Sequence, residues 1–99
     1  MQPATKRALV TGAGARLGQA MAIYLGKRGY DVAVHYAGSE EGAARTVEAI
    51  LAEGQTATAL QADLLDEGAS SSLVGRAMEA LGGSITCLVN NASIFEYDT

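Results

Sequence analysis

Short apolar runs alternate along this chain with longer stretches in which apolar residues recur every three or four positions. Ala8-Leu9-Val10, Val32-Ala33-Val34 and Ile85-Thr86-Cys87-Leu88-Val89 are runs of the first kind. They predict strands at roughly 7–11, 31–36 and 85–89, with a further strand at about 56–61. Between them, Leu17, Met21, Tyr24, Leu25 and Arg28 fall on one face of a helix. Ala43, Val47, Ile50 and Leu51 mark a second helix, and Leu73, Val74, Ala77, Met78 and Leu81 a third. Gly29, Gly54 and Gly82-Gly83 stop these helices. Ser39 and Asp66 stand where N-caps belong, and Glu40 and Glu41 suit the positive end of the second helix. Ser70-Ser71-Ser72 are poor helix formers and predict a ragged first turn in the third.

The order is β-α-β-α-β-α-β, with crossovers of helical length. That pattern dictates a parallel sheet with right-handed crossovers, an α/β doubly wound architecture. The expected strand order is 3-2-1-4, which puts the topological switch point between strands one and four. A ligand belongs there, outside the carboxyl ends of the strands. The unusual polar residues collect at those ends: Thr11-Gly12, His35-Tyr36, Asp63 and Asn90-Asn91.

Composition narrows the choice of ligand. Of the 99 residues 48% are hydrophobic and only 5% aromatic, so the core is aliphatic. A net charge of −4 argues against a nucleic-acid surface, which needs a basic patch. The single cysteine, Cys87, cannot form an internal disulfide; its strand setting predicts a core residue in a reducing, cytoplasmic protein. No stretch has the length of a signal peptide or membrane span. No metal-ligand set is assigned.

The segment Val10-Thr11-Gly12-Ala13-Gly14-Ala15-Arg16-Leu17-Gly18 carries the chemistry. A strand, a glycine turn and a helix N-terminus in that order offer backbone N–H groups and a positive dipole to a phosphate. Gly12 allows the tight turn, Gly14 the approach of a pyrophosphate, and Gly18 close packing of helix on strand. The spacing is not G-x-G-x-x-G, because Leu17 stands where the third glycine would be. Nor is it a P-loop, which needs Gly-Lys-Ser/Thr. The pattern T-G-x-x-x-R-x-G resembles the turn of the short-chain dehydrogenase/reductase family, T-G-x-x-x-G-x-G. Arg16 in place of the middle glycine is similar to the pteridine reductase branch. The resemblance implies a Rossmann-type sheet whose cofactor contacts include Gly12, Gly14, Arg16, Leu17 and Gly18.

An NAD site usually places an acid at the end of strand two, about twenty residues past the first glycine. Asp31 satisfies the count but lies at the start of that strand. Five steps of strand put it roughly 16 Å from the carboxyl end. The position that matters is His35-Tyr36-Ala37, which has no acid. A carboxylate there would repel a 2′-phosphate. Its absence, with the charge of Arg16 and the hydroxyl and N–H of Ser39, favours NADP(H). His35 and Tyr36 join the candidate cofactor site. Pteridine reductases carry an Arg two residues after this Tyr, where the present chain has Gly38.

The family resemblance also implies that Asp63 accepts from the adenine amino group while the Leu64 backbone meets adenine. Asn90-Asn91-Ala92-Ser93 resembles the family's Asn-Asn-Ala-Gly. By that resemblance Asn90 ties strands together, and Ala92 and Ser93 line the inner ribose and nicotinamide. Ser93-Ile94-Phe95 is similar to pteridine reductases, in which the Ser contacts substrate and cofactor and the Phe stacks on the pterin. Ser93 and Phe95 are therefore substrate candidates.

Family members continue for ~150 residues more and carry a Tyr and a Lys four apart. No Tyr-x-x-x-Lys occurs here, and no catalytic residue is assigned. Residues 1–99 are expected to be the N-terminal, dinucleotide-binding part of one domain, a segment of a larger polypeptide that is inactive alone. The parent is expected to be a reductase acting on a C=N or C=O group, a pterin being favoured, and a homo-oligomer (dimer or tetramer). A non-catalytic NADP(H) sensor is the alternative from another class, and an adenosylated methyl donor is a third ligand.

Overall fold

A computed structural model of the chain describes residues 6–13 and 16–90. The elements are β1 (Lys6–Thr11), α1 (Arg16–Lys27), β2 (Tyr30–Tyr36), α2 (Glu40–Ala52), β3 (Ala57–Gln61), α3 (Glu67–Leu81) and β4 (Cys87–Asn90). All three strand pairs are parallel, and the order is β3-β2-β1-β4. The order read from the crossovers is the one observed.

Alternation along the central strands divides the core in two. Val10, Val32 and Val34 face Ala22 of α1 and Ala43 and Ile50 of α2. Leu9 and Ala33 face the other way, onto Leu73, Ala77 and Leu81 of α3. Burial on both faces explains why β1 and β2 read as continuous apolar runs.

The helices are rotated relative to the faces expected from their large residues. On α1 the buried stripe is Gly18, Ala22 and Gly26, while Leu17 is 52% and Tyr24 58% exposed. Small residues let the helix lie close to its neighbours, and the larger side chains turn outward. A Cβ on Gly26 would stand 3.1 Å from Ile50 Cγ2 of α2. Tyr24 has the Arg28 guanidinium 5.7 Å above its ring. On α2, Leu51 is exposed and Thr46 is buried in its stead. On α3, Leu73, Ala77 and Leu81 are buried, but Val74 and Met78 are each 39% exposed.

The first turn of α3 is regular rather than ragged. Asp66 accepts from the N–H groups of Gly68 at 2.9 Å and Ala69 at 3.3 Å. Ser71 and Ser72 donate back to the carbonyls of Gly68 and Ala69, which satisfies their hydroxyls inside the helix. Ser39 occupies the N-cap position of α2 but makes no side-chain capping bond. β4 starts two residues later than expected because Thr86 is engaged beforehand, its N–H donating to Arg7 O at 2.8 Å. Cys87 is half-buried, in the outermost of the four described strands.

Candidate nucleotide site

The site assembles at the carboxyl ends of the strands. Thr11 of β1 lies opposite Asn90 of β4, at the switch point. The Thr11 hydroxyl is 3.1 Å from Asn90 Oδ1 and 3.3 Å from Val89 O, so the two strands are fastened where they end. The chain then turns through Gly12 with φ +68°, a conformation that favours glycine.

Gly18 sits directly beneath this turn. A Cβ on it would overlap Gly12 O and come within 2.9 Å of Ala13 Cα. The missing side chain is what lets the first turn of α1 meet the glycine loop, and so aims the helix N-terminus at it.

Two residues from other elements hold the turn. The Gly12 N–H donates to His35 Nδ1 at 3.0 Å, and the Ala13 N–H to His35 O at 2.8 Å. The Thr46 hydroxyl of α2 lies 2.8 Å from Gly42 O and 3.1 Å from Ala13 O and shares its proton between them. Gln19 of α1 donates to Gly42 O at 2.8 Å, which binds α1 to α2 beside the turn.

His35 is buried. Its Nδ1 accepts from Gly12, so its Nε2 carries the proton and donates to Ala62 O at 2.9 Å. Burial pushes its pKa below the ordinary 6.5; the bond to Ala62 opposes this, and the charge of Arg76 adds to it. The ring is neutral and faces the protein on both nitrogens.

The other predicted residues lie around this centre. Tyr36 is half-buried at the end of β2, and Arg16 is exposed at the start of α1. Ser39 borders an open concavity of about 700 Å³ formed by Gly38, Glu40, Gly42 and Arg45 among others. Arg45 Nη1 stands 4.0 Å from Glu41 Oε1, which offsets one of the two acids in this turn. Beyond β3, Asp63 Oδ1 accepts from the Leu65 N–H at 3.0 Å, so this carboxylate shapes its own loop, and Leu64 is half-buried beside it. Asp31 is at the opposite end of the sheet, where Oδ1 accepts from Thr56 N at 3.0 Å and from Gln55 Nε2 at 3.3 Å. Gly14, Ala92, Ser93 and Phe95 lie outside the described residues. Among the described residues no three His, Cys, Asp or Glu side chains are grouped to hold a metal, and no helix is long and apolar enough to cross a membrane.

The chain matches the short chain dehydrogenase family over residues 6–99. It belongs to that family. The chain is 43% identical over 90 residues to the 3-oxoacyl-[acyl-carrier-protein] reductase FabG of Staphylococcus aureus, covering 91% of the present chain and 36% of the relative. Over 92 residues it is 42% identical to versicolorin reductase 1 of Aspergillus parasiticus, covering 93% and 35%. It superposes with a TM-score of 0.81 and 46% identity on a short chain dehydrogenase from Burkholderia cenocepacia solved in complex with NADP, covering 86% and 34%. The chain thus spans about a third of the length of these proteins.

Thr46, Gln19 and Arg45 escape a reading of the sequence. Each is a polar residue within a helix whose partner is a backbone carbonyl or, for Arg45, a side chain of its own helix. Only Thr46 leaves a trace: it falls on the same helix face as Ala43 and Ile50.

Proposed function

We propose that this chain is the nucleotide-binding part of a single Rossmann-type domain in an NADP(H)-dependent short-chain reductase. The observation that carries the proposal is the end of β2. Tyr36-Ala37-Gly38 offers no carboxylate to the adenosine ribose, and Ser39 follows with its hydroxyl uncommitted to capping. The family match and the NADP named in the Burkholderia structure support the same reading.

The residues fit the cofactor by shape. Gly18, which has no room for a side chain, lets the N-terminus of α1 pack directly against the turn at Gly12. The Gly12–Gly18 turn holds the pyrophosphate by backbone N–H groups, and Arg16 and Ser39 meet the 2′-phosphate. Asp63 and Leu64 receive adenine, while Asn90, Ala92 and Ser93 flank the nicotinamide end. When bound, NADPH supplies a hydride; the chain's own residues hold it, orient it and keep water from the crevice.

A polarised C=O or C=N is the acceptor, the former in line with the 3-oxoacyl reductase among the relatives. The run Ser93-Ile94-Phe95, taken with Arg16, favours a flat pterin as the second substrate. The parent protein is a homodimer or homotetramer. The test is loss of NADPH absorbance in the intact protein with a 3-oxoacyl thioester or a dihydropterin. Turnover of either is expected. A protein that binds NADPH and reduces neither, nor any other carbonyl compound, would instead be a sensor.

A further inference from the structure

His35 makes three bonds to two separate loops. Through Nδ1 and its own carbonyl it receives the consecutive N–H groups of Gly12 and Ala13, in the turn after β1. Through Nε2 it donates to Ala62 O, in the segment after β3. That segment is also tied to β2 by the Ala62 N–H, which donates to Tyr36 O at 3.1 Å. The residue is 1% exposed and lies at the carboxyl end of β2, between the two loops.

We infer that His35 is a positioning residue for the nucleotide: a neutral imidazole protonated at Nε2 that turns the Gly12 N–H inward and sets the height of the phosphate turn. This rests on the proposed NADP(H) function, because it assigns His35 to the binding of that cofactor.

The argument is one of hydrogen-bond polarity. The Gly12 and Ala13 N–H groups are both spent on acceptors of His35, so neither is offered to a phosphate. Only a side chain with a lone pair at the Nδ1 place can hold Gly12 this way. Ala62 O demands a donor at the far side of the same ring. A buried Lys, Arg or imidazolium has no lone pair to offer, and Leu or Phe would leave both backbone groups unsatisfied. Neutral His meets both demands at once, across a rigid ring. Phosphate turn and adenine-side loop are thereby fixed to one point, although Gly12 and Ala62 stand far apart along the chain.

Two substitutions separate the halves of this role. In His35→Asn the amide oxygen reaches the Nδ1 place and still accepts from Gly12. In His35→Gln the amide nitrogen reaches the Nε2 place and still donates to Ala62 O, but Gly12 loses its acceptor. Each variant loses one buried bond, so a purely structural role predicts equal losses of stability and of NADPH affinity. A positioning role predicts a split. Fluorescence titration of the intact protein with NADPH is expected to show His35→Gln weaker by about ten-fold or more and His35→Asn weakened by clearly less. In steady state the same split is expected in KM for NADPH, with kcat held.

Equal weakening in the two variants, or none in His35→Gln, would overturn the assignment. Long-range proton–nitrogen correlation spectra of the wild-type imidazole test it without any variant. They are expected to show a bare Nδ1 and a protonated Nε2 at neutral pH, with and without NADPH; a protonated Nδ1 would overturn it. Wild-type protein that shows this tautomer yet binds no NADPH would refute the proposed function itself, and with it the role in cofactor binding.

Discussion

Gly18 has no room for a side chain. Its Cβ would meet the backbone of Gly12 and Ala13, which cannot retreat without breaking the bonds to His35 and Thr46. Gly18→Ala is therefore expected to cost about 2 kcal/mol and to abolish tight NADPH binding, as read by urea denaturation and by nucleotide titration. Thr46→Val keeps the shape and removes the hydroxyl shared by Gly42 O and Ala13 O. A loss of about 1 kcal/mol is expected, with Thr46→Ser recovering most of it. His35 adds a dependence on pH. Its folded pKa lies below 6.5, so as pH falls below that value the unfolded chain takes up a proton that the folded chain refuses. The stability it lends is complete above 6.5 and declines as pH drops towards the folded pKa, at up to about 1.4 kcal/mol per pH unit. Urea midpoints on either side of 6.5 check this, and His35→Asn is expected to flatten that part of the profile.

Elements meet here through small residues and capped ends. Asp66 holds two N–H groups at the start of α3, ahead of a run of serines that would otherwise favour other conformations. Asp66→Ala is expected to cost about 1 kcal/mol and to speed amide exchange in the first turn of α3 alone. The strands and their order were legible because apolar runs and crossover lengths leave few arrangements. Helix orientation was not. Gly18, Ala22 and Gly26 carry little hydrophobic signal, so Leu17 and Tyr24 drew the predicted face to themselves, whereas close approach of α1 decides the buried stripe. In the site, the glycines, the polar strand ends and the missing acid after β2 could be read directly. The inward direction of His35 could not, because its partners are a backbone N–H and a carbonyl that any residue could supply.

At the scale of the described chain, the carboxyl ends of the parallel strands set a glycine turn, a helix N-terminus, the end of β2 without an acid, and the Asp63 loop along one edge of the sheet. In the proposed function, charge selects between two nucleotides that differ by a phosphate: exposed Arg16 is the proposed cation, and Glu40 and Glu41 in the first turn of α2 carry the opposing charge. A Cβ on Gly38 would meet nothing within 4 Å, so Gly38→Arg is accommodated and adds a second cation. It is expected to raise the preference for NADPH by about ten-fold, through roughly 1.4 kcal/mol of charge-assisted bonding, as measured by parallel titrations. The most direct test of the account is the unmodified protein titrated with NADPH and with NADH under the same conditions. Tighter binding of NADPH, narrowed by Arg16→Glu, is the predicted result. Equal affinity for the two, or preference for NADH, would contradict it.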